Sequence, residues 1–208
     1  MPTNEGDVRS ALIRQWELIA EALPGIDVAT PSRIVGWSNG EVLAHLYVQP
    51  HLAIRFLDMA SNADPDLGVV ENLAGTTAFK DLIDTSAREG ALRSKFDIAG
   101  PLSAARASVL NASLGQTVET FQGLITVDDY LVTRCVEAVV HGEDLIEPVA
   151  PDSVAEAVTA TALLSVLAVA APDLVAQAGA LPRQDWINFA TGRAIAPAPL
   201  SGAMPVMS

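Results

Sequence analysis

The segment RCVEAVVHGEDL, residues 134–145, decides how this chain is read. Without its polar letters it is a buried helix rich in Val and Ala, with Cys135 among them. Glu137 and His141 nevertheless stand one turn apart inside it. A carboxylate in apolar surroundings costs several kcal/mol unless it gains a proton or a positive partner. Successive helical residues advance by about 100°, so Tyr130, Arg134, Glu137, His141 and Asp144 fall within roughly 80° of one another. Leu131, Val132, Cys135, Val136, Val139 and Val140 occupy the rest of the circumference. A stripe this narrow, poor in Lys, suits an internal cleft better than a solvent face.

Working outward, Thr126 can cap this helix, with Asp128 and Asp129 at its positive end. Pro148 and Pro151 close it. Upstream, SNGE at 38–41 is a capping box that opens a helix to about Ala60. On that helix His45 projects with Leu46, Leu52, Ala53 and Phe56, inward, whereas His51 projects with Tyr47, Arg55 and Asp58, outward. Pro50 between them is expected to kink it.

The remaining periodicity is helical too. A first helix over 7–23 carries Val8, Leu12, Trp16, Ile19 and Leu23 on one face. Residues 61–75, with Asn62, Asp64-Pro65, Gly68 and Gly75, read as a long loop. A helix from Ala78 to Leu92 runs into the charged REGALRSK, and Gly100-Pro101 opens another to about Leu114. Asp152 or Ser153 starts an apolar helix whose longest apolar run, AVTATALLSVLAVAAP, is short of the roughly eighteen residues of a membrane span. From Leu181 follow DWINFATGR and a Pro-, Ala- and Gly-rich tail, expected over the surface. With strand signals scarce, the fold class is all-α: a four-helix bundle over 5–172, additional short helices, and a C-terminal extension over 173–208.

Composition narrows the partners. A net charge of -13 repels phosphate backbones and anionic lipid, so no nucleic acid and no membrane partner is expected. Cys135 is the single cysteine, MPTNEGDVRS lacks a signal-peptide pattern, and a reducing cytoplasm is the expected location. Arg far outnumbers Lys, which occurs only at 80 and 95, and Ala is abundant, both marks of a GC-rich genome.

The inward polar set is therefore His45, Glu137 and His141. Two imidazoles and a carboxylate can hold a divalent metal with positions left open, as in catalytic zinc and facial iron(II) sites. The same residues also suit a satisfied packing histidine and a Glu137–Arg134 pair, and spacing alone leaves that choice open. Glu41 and His45 repeat the E-x-x-x-H spacing, but the capping box accounts for Glu41. Cys135 lies about 100° or more from the stripe and reads as packing. No glycine-rich phosphate loop, nucleophile elbow or paired CxxC occurs.

GWSNGEVLAHL, residues 36–46, resembles the tryptophan-to-histidine signature of the DinB-like superfamily. YLVTRCVEAVVHGEDL, residues 130–145, resembles the second signature of its actinobacterial branch, the mycothiol-dependent maleylpyruvate isomerase-like proteins. The resemblance implies an up-down-down-up four-helix bundle and a metal, usually zinc, with nickel or iron as alternatives, on His45, Glu137 and His141. It also implies mycothiol as cosubstrate, activated as a thiolate that attacks a small electrophile, in an isomerase or S-transferase reaction. The isomerase type carries a second α/β domain that this sequence does not contain in full. Instead ATGRAIAPAPLSGAMPVMS resembles the closing segment of shorter relatives. Arg134 and Arg193 are weaker candidates for contact with an anionic substrate. The rivals are a thiol-independent metal hydrolase on the same ligands and a non-catalytic bundle binding a small molecule or protein. A homodimer is possible, with no long heptad run to specify it.

Overall fold

A computed structural model describes residues 5–93 and 99–207. Met1–Asn4 of the amino-terminal stretch and the end of REGALRSK, including Lys95, lie outside the described residues. Helix α1 spans Glu5–Ala22 and buries Leu12, Trp16 and Ile19, the expected face. Helix α2 spans Asn39–Leu57 behind the expected capping box. Ser38 Oγ accepts the Glu41 N–H at 3.3 Å, and the Glu41 carboxylate accepts the Ser38 N–H at 2.6 Å.

The expected long loop at 61–75 contains a helix, α3, over Val69–Gly75. Its glycines mark the ends: Gly68 donates its N–H to Glu71 Oε2 at 3.0 Å, and Gly75 is the last helical residue. Leu73 supplies the apolar anchor. Helix α4 spans Lys80–Ala91 and α5 Ala99–Asn111. A Cβ at Gly90 would sit 2.9 Å from Ala44 Cβ, so α4 approaches α2 this closely only with glycine there.

The second difference from expectation is an antiparallel hairpin, β1 at Thr117–Thr120 and β2 at Gly123–Thr126, paired Thr117 to Thr126. Strands of four residues are too short for alternation to stand out in sequence. Thr126 ends β2 and also caps the next helix, accepting the Asp129 N–H at 3.1 Å. That helix, α6, spans Val127–Glu143.

Asp152 caps α7, Ser153–Ala170, through the N–H groups of Val154 and Ala155. At 18 residues α7 is longer than its apolar run suggested, and it is long and apolar enough to cross a membrane by composition alone. Here Ala155, Val158, Leu163 and Leu167 enter the common core, and α7 packs on α1 and α6. Two short helices follow, α8 at Val175–Gly179 and α9 at Arg183–Ala190.

The C-terminal segment is more than a surface tail. Trp186, Ile187, Ala190 and Leu200 are buried in the same core, and the Trp186 indole donates to the Ala160 carbonyl of α7 at 3.0 Å. The all-α DinB-like bundle is built from α1, α2, α5 and α6: α2 packs on α5 and α6, and α1 packs on α5 and α6. Asn39, fully buried, donates to the Asp27 carbonyl in the α1–α2 connection and accepts the Ile146 N–H, which ties α2 to the chain beyond α6. That tie fixes α2 against α6, the two helices that carry the polar stripe.

Candidate metal centre

About two turns after its capped end, α2 presents His45 to the middle of α6. His45 Nε2 lies 2.9 Å from Glu137 Oε2, and His141 Nε2 lies 3.5 Å from the same oxygen. One ligand atom from each of the three residues falls within 4.8 Å of the others. Glu137 and Asp144 are buried, whereas His45 and His141 keep a little exposure toward an opening. His51 is exposed and stacks edge-on against Tyr47, as its outward projection predicts.

A tetrahedral ion with ligands about 2.1 Å away separates neighbouring ligand atoms by roughly 3.4 Å. The observed separations bracket that figure, so the three side chains fit a divalent metal without rebuilding the bundle. The imidazole behind the site fits too. His141 Nδ1 is held at 2.8 Å by Asp144 Oδ2, which leaves Nε2 to face inward. Arg193 in turn grips Asp144 with both prongs, Nε to Oδ1 at 2.8 Å and Nη2 to Oδ2 at 2.6 Å.

The electrostatics answer the question posed by a buried glutamate. Burial alone would raise the Glu137 carboxyl, but hydrogen bonds from His141 and His45 hold it well below the usual carboxylate range. Burial lowers His45, and the neighbouring His141 charge reinforces that, so His45 stays a neutral, ligand-ready imidazole. For His141 burial is outweighed by its bonds to Asp144 and Glu137, which push it up to about 9. Asp144 is held down to about 2, its bonds to His141 and Arg193 overcoming burial. Glu137 and Asp144 thus alternate with His141 and Arg193, so the metal-free network is already balanced in charge.

The sequence-predicted residues divide accordingly. His45, Glu137 and His141 come together. Arg193 reaches the site through Asp144 rather than lying on the surface. Arg134 does not pair with Glu137: its Nη1 donates to Gln49 Oε1, and its guanidinium lies 5.3 Å from the Tyr130 ring centre. Gln49, one turn after His45 and 3.4 Å from its Nε2, escaped the sequence reading because only the fold brings it beside Arg134. Cys135 is fully buried, its thiol pushed up to about 12 by burial, as expected of a packing residue.

The site opens onto a cavity of about 330 Å³ between α2, α4, the hairpin and α6. His45, Gln49, Arg134 and Glu137 line its inner end. Searches of curated proteins and of solved structures gave no match. A family model described as mycothiol maleylpyruvate isomerase N-terminal domain matches residues 9–146, from α1 through α6 and both halves of the candidate site. With two thirds of its length matched, the chain belongs to the mycothiol maleylpyruvate isomerase N-terminal domain family.

Proposed function

We propose that this chain is a metal-dependent enzyme that directs a small-molecule thiol, mycothiol by family, at a small electrophile. The observation that carries the reading is the convergence of His45 Nε2 and His141 Nε2 on one Glu137 oxygen at the inner end of a cavity. Two imidazoles and one carboxylate suit Zn²⁺ first, with Ni²⁺ and Fe²⁺ as alternatives. A divalent ion held there would lower the proton affinity of a thiol bound to it, leaving the thiol ionised at neutral pH.

The chain's own residues set up that chemistry. Glu137 contributes one negative charge, Asp144 fixes the His141 tautomer, and the walls of the cavity limit water around the reacting centre. Attack of the thiolate on a carbon electrophile forms a C–S bond: departure of a leaving group with the bonding pair completes S-transfer, whereas addition to a cis double bond, rotation about the resulting single bond and thiolate expulsion give the trans isomer. A thiol-using enzyme of this kind works in the reducing cytoplasm.

The test is metal content by mass spectrometry, followed by turnover assays with and without mycothiol. Wild type should carry about one metal ion per chain after zinc is supplied, and His45→Ala, Glu137→Ala and His141→Ala should each carry less than a tenth of that. A wild type that stays metal-free would overturn the reading. Turnover indifferent to mycothiol would make the protein a metal hydrolase instead.

A further inference from the structure

The cavity beside the candidate site has two chemically different ends. Its wall is mostly hydrocarbon and aromatic: Leu52, Phe56, Phe79, Ile83 and Phe121 face it from α2, the α3–α4 junction, α4 and the hairpin turn, with Asn72, Thr76, Ser86, Thr120 and Gln122 between them. Its inner end carries one cation, Arg134, with the buried Tyr130 phenol beside it. The Tyr130 hydroxyl is buried and makes no hydrogen bond among the described residues, although its residue is only 1% exposed. Among the described residues Arg134 makes no ion pair: its hydrogen-bond acceptors, Gln49 and Thr133, are neutral, and the Glu137 carboxylate acts on it only across the inner end of the cavity.

The Arg134 guanidinium has five N–H groups and lines the cavity, so it keeps donors that a ligand carboxylate can take up. We propose that this cavity binds a carboxylate-bearing electrophile with an aryl or branched-alkyl body, its carboxylate on Arg134 and its body against the aromatic wall. A small aliphatic diacid such as maleylpyruvate would leave that wall wet, and the area is better covered by a hydrocarbon group. The inference deepens the thiol-transfer reading and relies on it only for what happens to the bound molecule.

The test is calorimetric binding of three unreactive probes to the full-length protein, zinc-loaded and chelator-treated: 3-phenylpropionate, 3-phenylpropan-1-ol and succinate. In chelator-treated protein, where no metal can hold the carboxylate, 3-phenylpropionate should bind at least tenfold tighter than either other probe. Arg134→Met should remove the preference for acid over alcohol. Leu82→Glu, at a rim position 62% exposed and so safe for folding, should weaken the acid at least tenfold and the alcohol much less. Equal binding of the acid and succinate, or of the acid and the alcohol, would overturn the proposal, as would acid binding untouched by both substitutions. His141→Ala separates the two readings, because His141 lies outside the cavity wall: it should lose metal yet keep 3-phenylpropionate. A metal-free wild type that still selects 3-phenylpropionate sinks the enzyme reading alone.

Discussion

Asp144 is the residue on which the site turns. Its carboxylate is fully buried, holds His141 Nδ1 on one side and accepts the Arg193 fork on the other. A buried carboxylate with both oxygens bonded is rigid, and rigidity passes to the imidazole it holds. Arg193→Ala should therefore weaken zinc binding about 10- to 100-fold although it removes no ligand. Competition against a chromophoric chelator measures this, and thermal melts of the metal-free variant separate lost positioning from lost fold. Arg193→Lys should recover little of the affinity, because a point charge cannot hold both oxygens. Wild-type zinc affinity in Arg193→Ala would show that His141 is oriented by something else. Of this chain of contacts, the sequence showed Asp144 on the stripe and Arg193 as a weak anion contact. It could not show that residues 49 positions apart meet.

At the level of elements, the site depends on where α2 and α6 begin. Both starts are set by local chemistry, the Ser38–Glu41 box and the Thr126 cap. Ser38→Ala removes a side-chain acceptor at the head of the helix that carries His45, at a cost of about 1 kcal/mol. Chemical denaturation should show a lower midpoint with unchanged slope. Its effect on metal affinity should be small, because Asn39 still ties α2 to the chain after α6. The hairpin is the contrasting case. Its turn brings Gln122 against α3, where a Cβ at Gly75 would run into Gln122 Oε1, and sets Phe121 at the cavity. Neither contact follows from local sequence preference, which is why the seven-residue helix read as loop and the four-residue strands left no signal of their own.

Across the whole molecule, the C-terminal segment and the bundle share one core. Trp186 is 1% exposed, its indole bonded to α7, and its removal leaves a large void, although the Ala160 carbonyl keeps its helical partner. Trp186→Ala should destabilise by about 3–5 kcal/mol, read as a lowered thermal midpoint. It should also loosen Arg193, which follows α9 after the turn at Gly192, where φ is +74°. Zinc affinity measured on whatever fraction stays folded should then fall with stability. A Trp186→Ala protein with wild-type melting would mean that α7 needs no cover from the C-terminal segment.

By itself the sequence determined the helical class, the caps that start α2, α6 and α7, and the inward set His45, Glu137 and His141. These are local properties: periodicity and capping act within a few turns and can be projected on a wheel. Only the tertiary structure decided which polar groups are satisfied by which. It placed Arg134 on Gln49 instead of Glu137, buried the Tyr130 hydroxyl without a partner among the described residues, and brought Arg193 onto Asp144. Those outcomes depend on long-range packing, in which a side chain's partner is set by where other elements come to rest, and helical spacing carries no record of that.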